Sequence, residues 1–228
     1  AENLHRAYPT GQLPQRMDAL IHIAGFSLFG PVLDVSLTEF RDLLDLNLLT
    51  PLRLTQVLAP ALIQAQGRVI AVSSVAGQVT LPFYGPYAAS KHALEALWEG
   101  LYHELSWKGV SVALIEPGSY RTGFKERLRY TAASQAATLS HFQREMGAFR
   151  NMMATRANDF MADPGAVADL LYSLVTRRES PDFRTAIGKD ARGVLFLKRF
   201  LPGAWFRFLV RKGFQKIVFQ PSAQTRVR

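Results

Sequence analysis

Tyr87 and Lys91 are separated by Ala-Ala-Ser, and Ser74 lies thirteen residues upstream. If the segment is helical, positions i and i+4 share a face about one turn apart. An ammonium beside a phenol favours the phenolate and lowers the tyrosine pKa. Free tyrosine titrates near 10, and bringing it to about 7 takes roughly 4 kcal/mol of differential interaction. The result would be a proton donor and acceptor usable at neutral pH. A solvated lysine on a surface helix has the same spacing, so the flanking sequence must discriminate.

The flanks read as alternating strands and helices. Residues 18–24 form an apolar run stopped by Gly25, residues 68–73 a second, and residues 110–115 a third stopped by Pro117-Gly118. Such runs fit buried strands. Ser36-Leu-Thr-Glu39 matches a capping box and opens a helix expected to reach about Gln64. A second helix is expected from Tyr87 to Lys108, with Gly109 just past its end. Residues 123–163 read as irregular or loosely helical. Asp163-Pro164 opens a helix to about Arg178, residues 183–187 form a last strand, and two short helices flank Pro202-Gly203. Strands apolar along their whole length indicate a parallel sheet covered on both faces, an α/β architecture. Ligands in such sheets sit beyond the carboxyl ends of the strands, where Gly25, Ser74 and Pro117-Gly118 all fall.

Pro51 has no N–H to offer the Asn47 carbonyl and its ring crowds that carbonyl, so the first helix should kink there. Either the freed carbonyl holds a proton-relaying water, or Asn47 is merely solvated at a kink.

Composition narrows the classes. Hydrophobic residues make up 48% of 228, which supports a sizeable core, and there is no cysteine for disulfides or thiolate metal sites. The five histidines show no zinc spacing. No apolar run in the sequence reaches the length of a membrane span, and the first residues do not resemble a signal peptide, so a cytoplasmic protein is expected. Charge is uneven. Residues 1–120 hold 7 basic and 10 acidic side chains, residues 121–228 hold 20 and 8, and after Asp190 there are nine Lys/Arg and no Asp or Glu. A basic tail implies an anionic partner. Nucleic acid is not expected, for want of a zinc finger, RNP motif or basic zipper.

With these elements in place the chain resembles the short-chain dehydrogenase/reductase family from about Met17 to Thr122. His22-Ile-Ala-Gly25 is similar to the family's Asn-Asn-Ala-Gly turn, Asn47 falls on its active-site asparagine, Ser74 on its catalytic serine, and Tyr87 and Lys91 on its catalytic pair. Pro117-Gly118-Ser-Tyr-Arg-Thr122 resembles the segment that lies along the nicotinamide, and its phrasing is nearest the retinol- and hydroxysteroid-dehydrogenase-like branch. The resemblance implies a Rossmann-like doubly wound sheet and an NAD- or NADP-dependent exchange between an alcohol and a ketone or aldehyde. Tyr87 would move the proton, Lys91 would hold the tyrosinate and the nicotinamide ribose, Ser74 would polarise the substrate oxygen, and Asn47 would complete the relay. Ala24, Gly25, Tyr87, Lys91, Pro117, Gly118 and Thr122 would line the cofactor. A homo-oligomer is expected.

Two departures stand out. His22 and Ile23 replace the paired asparagines, His22 being read as structural. The Thr-Gly-x-x-x-Gly-x-Gly loop that cradles the pyrophosphate is not in the sequence, since Thr10-Gly11 lacks the following glycines. The expected fold is therefore N-terminally truncated, either a fragment or a late-starting gene product, and the strand ending at Ala24 has an unpaired edge. The domain is expected over residues 1–190, with a lid at 123–163 and a basic tail at 191–228. Met146, Met152, Met153, Met161, Phe124, Phe142, Phe149 and Phe160 in the lid suit a lipophilic substrate or ordinary helix packing. The tail's Phe206, Leu209, Val210, Phe214 and Ile217, with Arg207, Arg211, Lys212 and Lys216 between them, suit a helix on an anionic membrane or one packed on its own domain. Three readings follow: an oxidoreductase, a truncated non-catalytic binding or assembly module, and a membrane-surface protein.

Overall fold

The computed structural model describes residues 13–121, 128–136, 138 and 141–219. Four parallel strands form the main sheet in the order β1 (Ala19–His22), β3 (Arg68–Val72), β4 (Ser111–Pro117) and β6 (Arg184–Ile187). The register sets His22 beside Ala71, Val72 beside Ile115, and Ile115 beside Thr185, so the carboxyl ends of the strands are level. Side chains alternate across the sheet. Val69, Ala71, Val112 and Leu114 face one layer, with Leu58, Leu62, Leu94 and Trp98 from the helices. Ile70, Ala113 and Ile115 face the other, with Leu174. Both faces are therefore covered, as fully apolar strands require.

The first layer is built by α1 (Leu37–Leu44), a π turn (Asp45–Leu49), α2 (Thr50–Ala65) and α3 (Gly85–Ser106). The Ser36–Glu39 capping box is formed in both directions. The expected kink at Asn47 takes the form of that π turn. The Pro51 nitrogen cannot serve Asn47, and the Thr50 N–H reaches back to the Asp45 carbonyl instead. Leu43, Asn47, Pro51, Thr55, Leu58 and Leu62 are buried at intervals of three or four, so one inward stripe runs unbroken through the turn. This stripe explains a correction. The continuous helix Leu37–Ala65 is long and apolar enough to cross a membrane, contrary to the sequence expectation, yet its buried stripe and capping box mark it as a core helix.

The region expected to be loose holds more order than its composition suggested. β5 (Leu128–Tyr130) pairs in parallel with β2 (Ser27–Phe29), α4 (Ala132–Gln135) follows it, and α5 (Gln143–Phe160) is a full helix. Strands of three residues carry too little pattern to be found by periodicity. The second face is covered by α6 (Gly165–Thr176), where the Asp163 carboxylate accepts from the Gly165 N–H and the Arg68 guanidinium donates to the carbonyls of Leu174 and Arg177 near its carboxyl end. The chain continues through α7 (Lys189–Phe200) and α8 (Gly203–Val218), separated by Leu201-Pro202. Among the described residues β1 pairs only with β3, leaving its other edge without a strand; Ile23, just beyond it, is 62% exposed.

His22 ends β1 as a packing residue. Its Nε2 lies 2.9 Å from Thr55 Oγ1 on α2, and its ring meets Trp98 of α3 edge-on. Burial pushes its pKa from 6.5 down to about 4. The unfolded chain therefore takes up this proton first as pH falls, and the folded state loses stability between about 6.5 and 4. Denaturant midpoints for wild type and His22→Gln across that interval should show a shallower acid-side decline in the variant. Parallel curves would mean that His22 does not remain neutral in the fold.

Candidate active site

Just beyond the level strand ends, three backbone segments meet around one side chain. Asn47, 1% exposed, points inward from the π turn. Its Oδ1 accepts from the Phe26 N–H at 3.0 Å, and its Nδ2 donates to the Phe26 carbonyl at 2.9 Å and to Ser90 Oγ at 3.0 Å. Ser90 in turn donates to the Tyr87 carbonyl. The loop after β1, the kinked helix and the first turns of α3 are thereby fixed together. Gly25 makes the approach possible, since a Cβ there would lie 3.0 Å from Asn47 Oδ1 and 4.0 Å from Lys91 Nζ. Ala24, beside it, is exposed.

Tyr87 and Lys91 lie one turn apart on α3, both buried, with Lys91 Nζ 5.9 Å from the Tyr87 ring centroid. The ammonium donates to the Val72 carbonyl, at the end of β3, over 2.9 Å. The Tyr87 hydroxyl is hydrogen-bonded to Ser74. Ser74 follows β3, caps the short turn Val75–Gly77, and accepts from the Ala76 N–H at 3.1 Å. So Ser74, Tyr87, Lys91 and Asn47, spread over 44 positions of sequence, are gathered at one end of the sheet.

The electrostatics differ from the sequence expectation of a phenol lowered towards neutrality. Burial pushes Tyr87 up to about 12, with Ser74 pulling the other way. Burial also pushes Lys91 down to about 8, opposed by the charge of Glu95. Loss of water costs phenolate and ammonium alike, and it outweighs the attraction between groups held at this separation. Tyr87 is thus held as the neutral phenol.

Cofactor-side expectations divide. Pro117 ends β4 and Gly118 follows it, as expected, but the Gly118 N–H goes to the Ile187 carbonyl, and the Asp190 carboxylate occupies the side where a Cβ would project. Asp190 also accepts from the Ser119 N–H at 2.7 Å. Gly118 therefore has a packing reason of its own. Thr122 lies outside the described residues, as does Phe124 of the expected lid.

Sequence reasoning named Met146, Phe149 and Met152 as lid residues but missed Phe29 and Phe83, which complete an aromatic wall beside Tyr87. Met146, Phe149 and Met152 of α5 are buried with Phe29, Ala76, Tyr87 and Ala88. Phe83 has φ of 66°, left-handed for a large side chain, and holds its ring 5.6 Å from Phe149 and 6.2 Å from Phe214 of α8. Its carbonyl accepts from the Gly30 N–H, tying the strained residue to the loop after β2. The turn-rich composition of residues 77–86 was the one available signal, and it does not reveal which residue takes the unusual conformation.

Comparison with known proteins places this arrangement. A family model described as short chain dehydrogenase matches residues 9–133. An uncharacterized oxidoreductase of Bacillus subtilis, YusZ, is 32% identical over 200 residues, covering 87% of this chain and 71% of the relative. Escherichia coli K12 YbbO, also an uncharacterized oxidoreductase, is 34% identical over 182 residues, covering 79% and 62%. The chain thus spans roughly two thirds of the length of these relatives. A short-chain dehydrogenase structure from Streptomyces avermitilis superposes with a TM-score of 0.68 at 27% identity, covering 91% of this chain and 71% of that one. A metagenomic short-chain oxidoreductase in complex with NADP gives 0.55 at 26% identity, covering 82% and 66%. The chain belongs to the short-chain dehydrogenase/reductase family, and its sheet is the parallel, doubly covered sheet of that fold.

The Asn47 clamp is open to a direct measurement. Asn47→Ala strands the buried Phe26 N–H and C=O, each costing about 1–3 kcal/mol when left unpaired. Urea unfolding should show a loss of roughly 2–4 kcal/mol. A loss under about 0.5 kcal/mol, the scale of an ordinary surface change, would mean that the clamp does not hold these segments.

Proposed function

We propose that this chain handles an alcohol–carbonyl pair as an NAD(P)-dependent oxidoreductase, with Tyr87, Lys91, Ser74 and Asn47 as its working residues. The observation that carries the reading is the convergence of the Tyr87–Ser74 hydrogen bond with the buried Lys91 ammonium at the carboxyl ends of β1, β3 and β4. Tyr87 delivers a proton to the substrate oxygen, and Ser74 donates a hydrogen bond to the same oxygen and polarises it. A bound nicotinamide supplies the hydride. The residues at hand fit its ribose half. Lys91 has three N–H donors and gives one to Val72, while Gly25 keeps a methyl group away from the ammonium. Ala24 and Gly25 follow β1, and Pro117 and Gly118 stand at the end of β4, on the same carboxyl side of the sheet. Asn47 holds the π turn against the site, and the carbonyl that Pro51 leaves without its ordinary donor would serve a relay that returns a proton to Tyr87 through Lys91.

The wall of Met146, Phe149, Met152, Phe83 and Phe214 favours a lipophilic substrate, because it makes the surroundings of the phenol apolar. The pyrophosphate cradle of the family has no counterpart in this sequence, so cofactor affinity is the decisive quantity. Titration of NADH and NADPH into the purified chain, followed by protein fluorescence, should give saturable binding that Lys91→Ala abolishes. No binding at millimolar cofactor would overturn the reading for this chain.

We further propose an anionic membrane surface as a partner of residues 189–219. Phe196, Phe200 and Trp205 are each more than 60% exposed, with Leu197, Phe208 and Leu209 near half exposed, on two helices that carry eight Lys/Arg and Asp190 as their single acid. Apolar side chains flanked by cations fit the headgroup boundary. The chain should co-sediment with phosphatidylserine-containing vesicles and be released at high salt. Equal binding to all-phosphatidylcholine vesicles, or none to either, would remove the proposal.

A further inference from the structure

Behind Lys91, away from Tyr87, lies a buried acidic cluster that the proposed chemistry does not use. Glu95 follows Lys91 by one turn of α3 and is 5% exposed. Glu116, on β4, is 2% exposed. Carboxylates are almost never so buried unless paired. Arg184 of β6 supplies the pairing. Its Nε lies 2.8 Å from Glu95 Oε2 and 3.8 Å from Glu116 Oε1, while its Nη2 lies 2.8 Å from Glu99 at the surface end of the cluster. Gln78, from the turn after β3, donates its side-chain amide to Glu116. Gly77 makes the room, for a Cβ there would come within 2.8 Å of both Glu95 Cγ and Ser73 Oγ. Helix α3, strands β4 and β6 and the turn after β3 thus converge on a pair of buried carboxylates, Glu95 and Glu116.

We propose that Glu95 is the counter-charge of Lys91: a buried carboxylate, clamped by Arg184 and adjoining Glu116, that keeps the site ammonium charged. The inference rests on the reading of Lys91 as a site residue. Without a negative neighbour, burial alone would drive the lysine towards the neutral amine, which binds ribose hydroxyls and steadies a tyrosinate less well. The groups facing Lys91 are Tyr87 and Glu95 on its own helix, Asn47 from the π turn, and the Val72 carbonyl from β3. Of these, Glu95 alone brings a negative charge. Facing Glu95 are Lys91 and Glu99 on α3, Glu116 on β4, Arg184 on β6, and Ser73, beside Gly77.

The two buried carboxyl groups play different parts. Burial first, and the neighbouring Glu95 charge after it, hold Glu116 above the ordinary carboxylate range, with Gln78 and Arg184 opposing. Glu116 is therefore held towards its protonated form, which relieves the repulsion between two buried like charges. Glu95 and Glu99 are the carboxylates paired with Arg184 at 2.8 Å. Glu95 is a positioning residue, acting on the site through the charge of Lys91.

The test reads Lys91 directly and needs no cofactor. The chain has seven lysines, so the protein labelled with carbon-13 at lysine Cε gives few signals, and the one missing from Lys91→Met identifies Lys91. In wild type its midpoint is expected near 8. In Glu95→Gln the midpoint should fall by about one pH unit or more, the scale of a lost charge partner. Glu116→Gln keeps the Glu95 carboxylate and should leave the midpoint nearly unmoved. Glu95→Asp, which keeps the charge on a shorter stem, should recover most of the shift and provides the reading if Glu95→Gln fails to fold. An unmoved midpoint in Glu95→Gln, or an equal fall in both glutamine variants, would overturn the proposal. Cofactor binding is measured separately, so loss of binding with the expected lysine titrations would count against the proposed function and not against Glu95.

Discussion

The Asn47 amide is the constraint on which the candidate site depends. One planar side chain satisfies both backbone groups of Phe26 and the hydroxyl of Ser90, and so determines how far three segments stand apart. A buried amide left half satisfied would be costly, so the geometry tolerates little drift. Gly25 lacks a side chain where Asn47 crowds it, and Lys91 reaches Val72 because α3 is held at that distance. Pro51 belongs to the same constraint, since it widens the helix at the position from which Asn47 points.

The site combines two environments. Towards Tyr87 and the wall of α5 it is apolar, and burial keeps the phenol protonated. Towards Glu95, Glu116 and Arg184 it is ionic, with both carboxylates buried and the guanidinium reaching the surface. Lys91 stands between them, its ammonium disfavoured by the first and supported by the second. Proton handling in such a place depends less on any one residue's ordinary acidity than on how two buried regions of opposite character divide a single charge.

Much of this was legible in the sequence, where the signal was local. The apolar runs gave the parallel strands, Ser36 and Glu39 gave a helix start, and Pro51 gave the disturbance at Asn47. Gly25, Ser74 and Pro117 marked strand ends by being turn residues that follow apolar runs. What stayed hidden was set by distance in the chain. Tyr87 was expected to be acidified by its helix neighbour, yet burial by α5, some sixty residues away, dominates. Nothing local in the sequence relates Glu95 to Glu116, which α3 and β4 bring to Arg184. Phe83 had no marker for its left-handed conformation, and β2 and β5, at three residues each, had no period to detect.

The π turn separates the length of the helix from its facing. A wide turn of this kind takes up one residue more than an α turn, with both flanks still facing as they would without it. The stripe from Leu43 to Leu62 is continuous across Asp45–Leu49 for that reason. A helix one residue shorter could lay the same stripe on the same sheet, but without the widened ring from which Asn47 reaches Phe26 and Ser90 together. The extra residue thus serves the clamp and leaves the architecture unchanged.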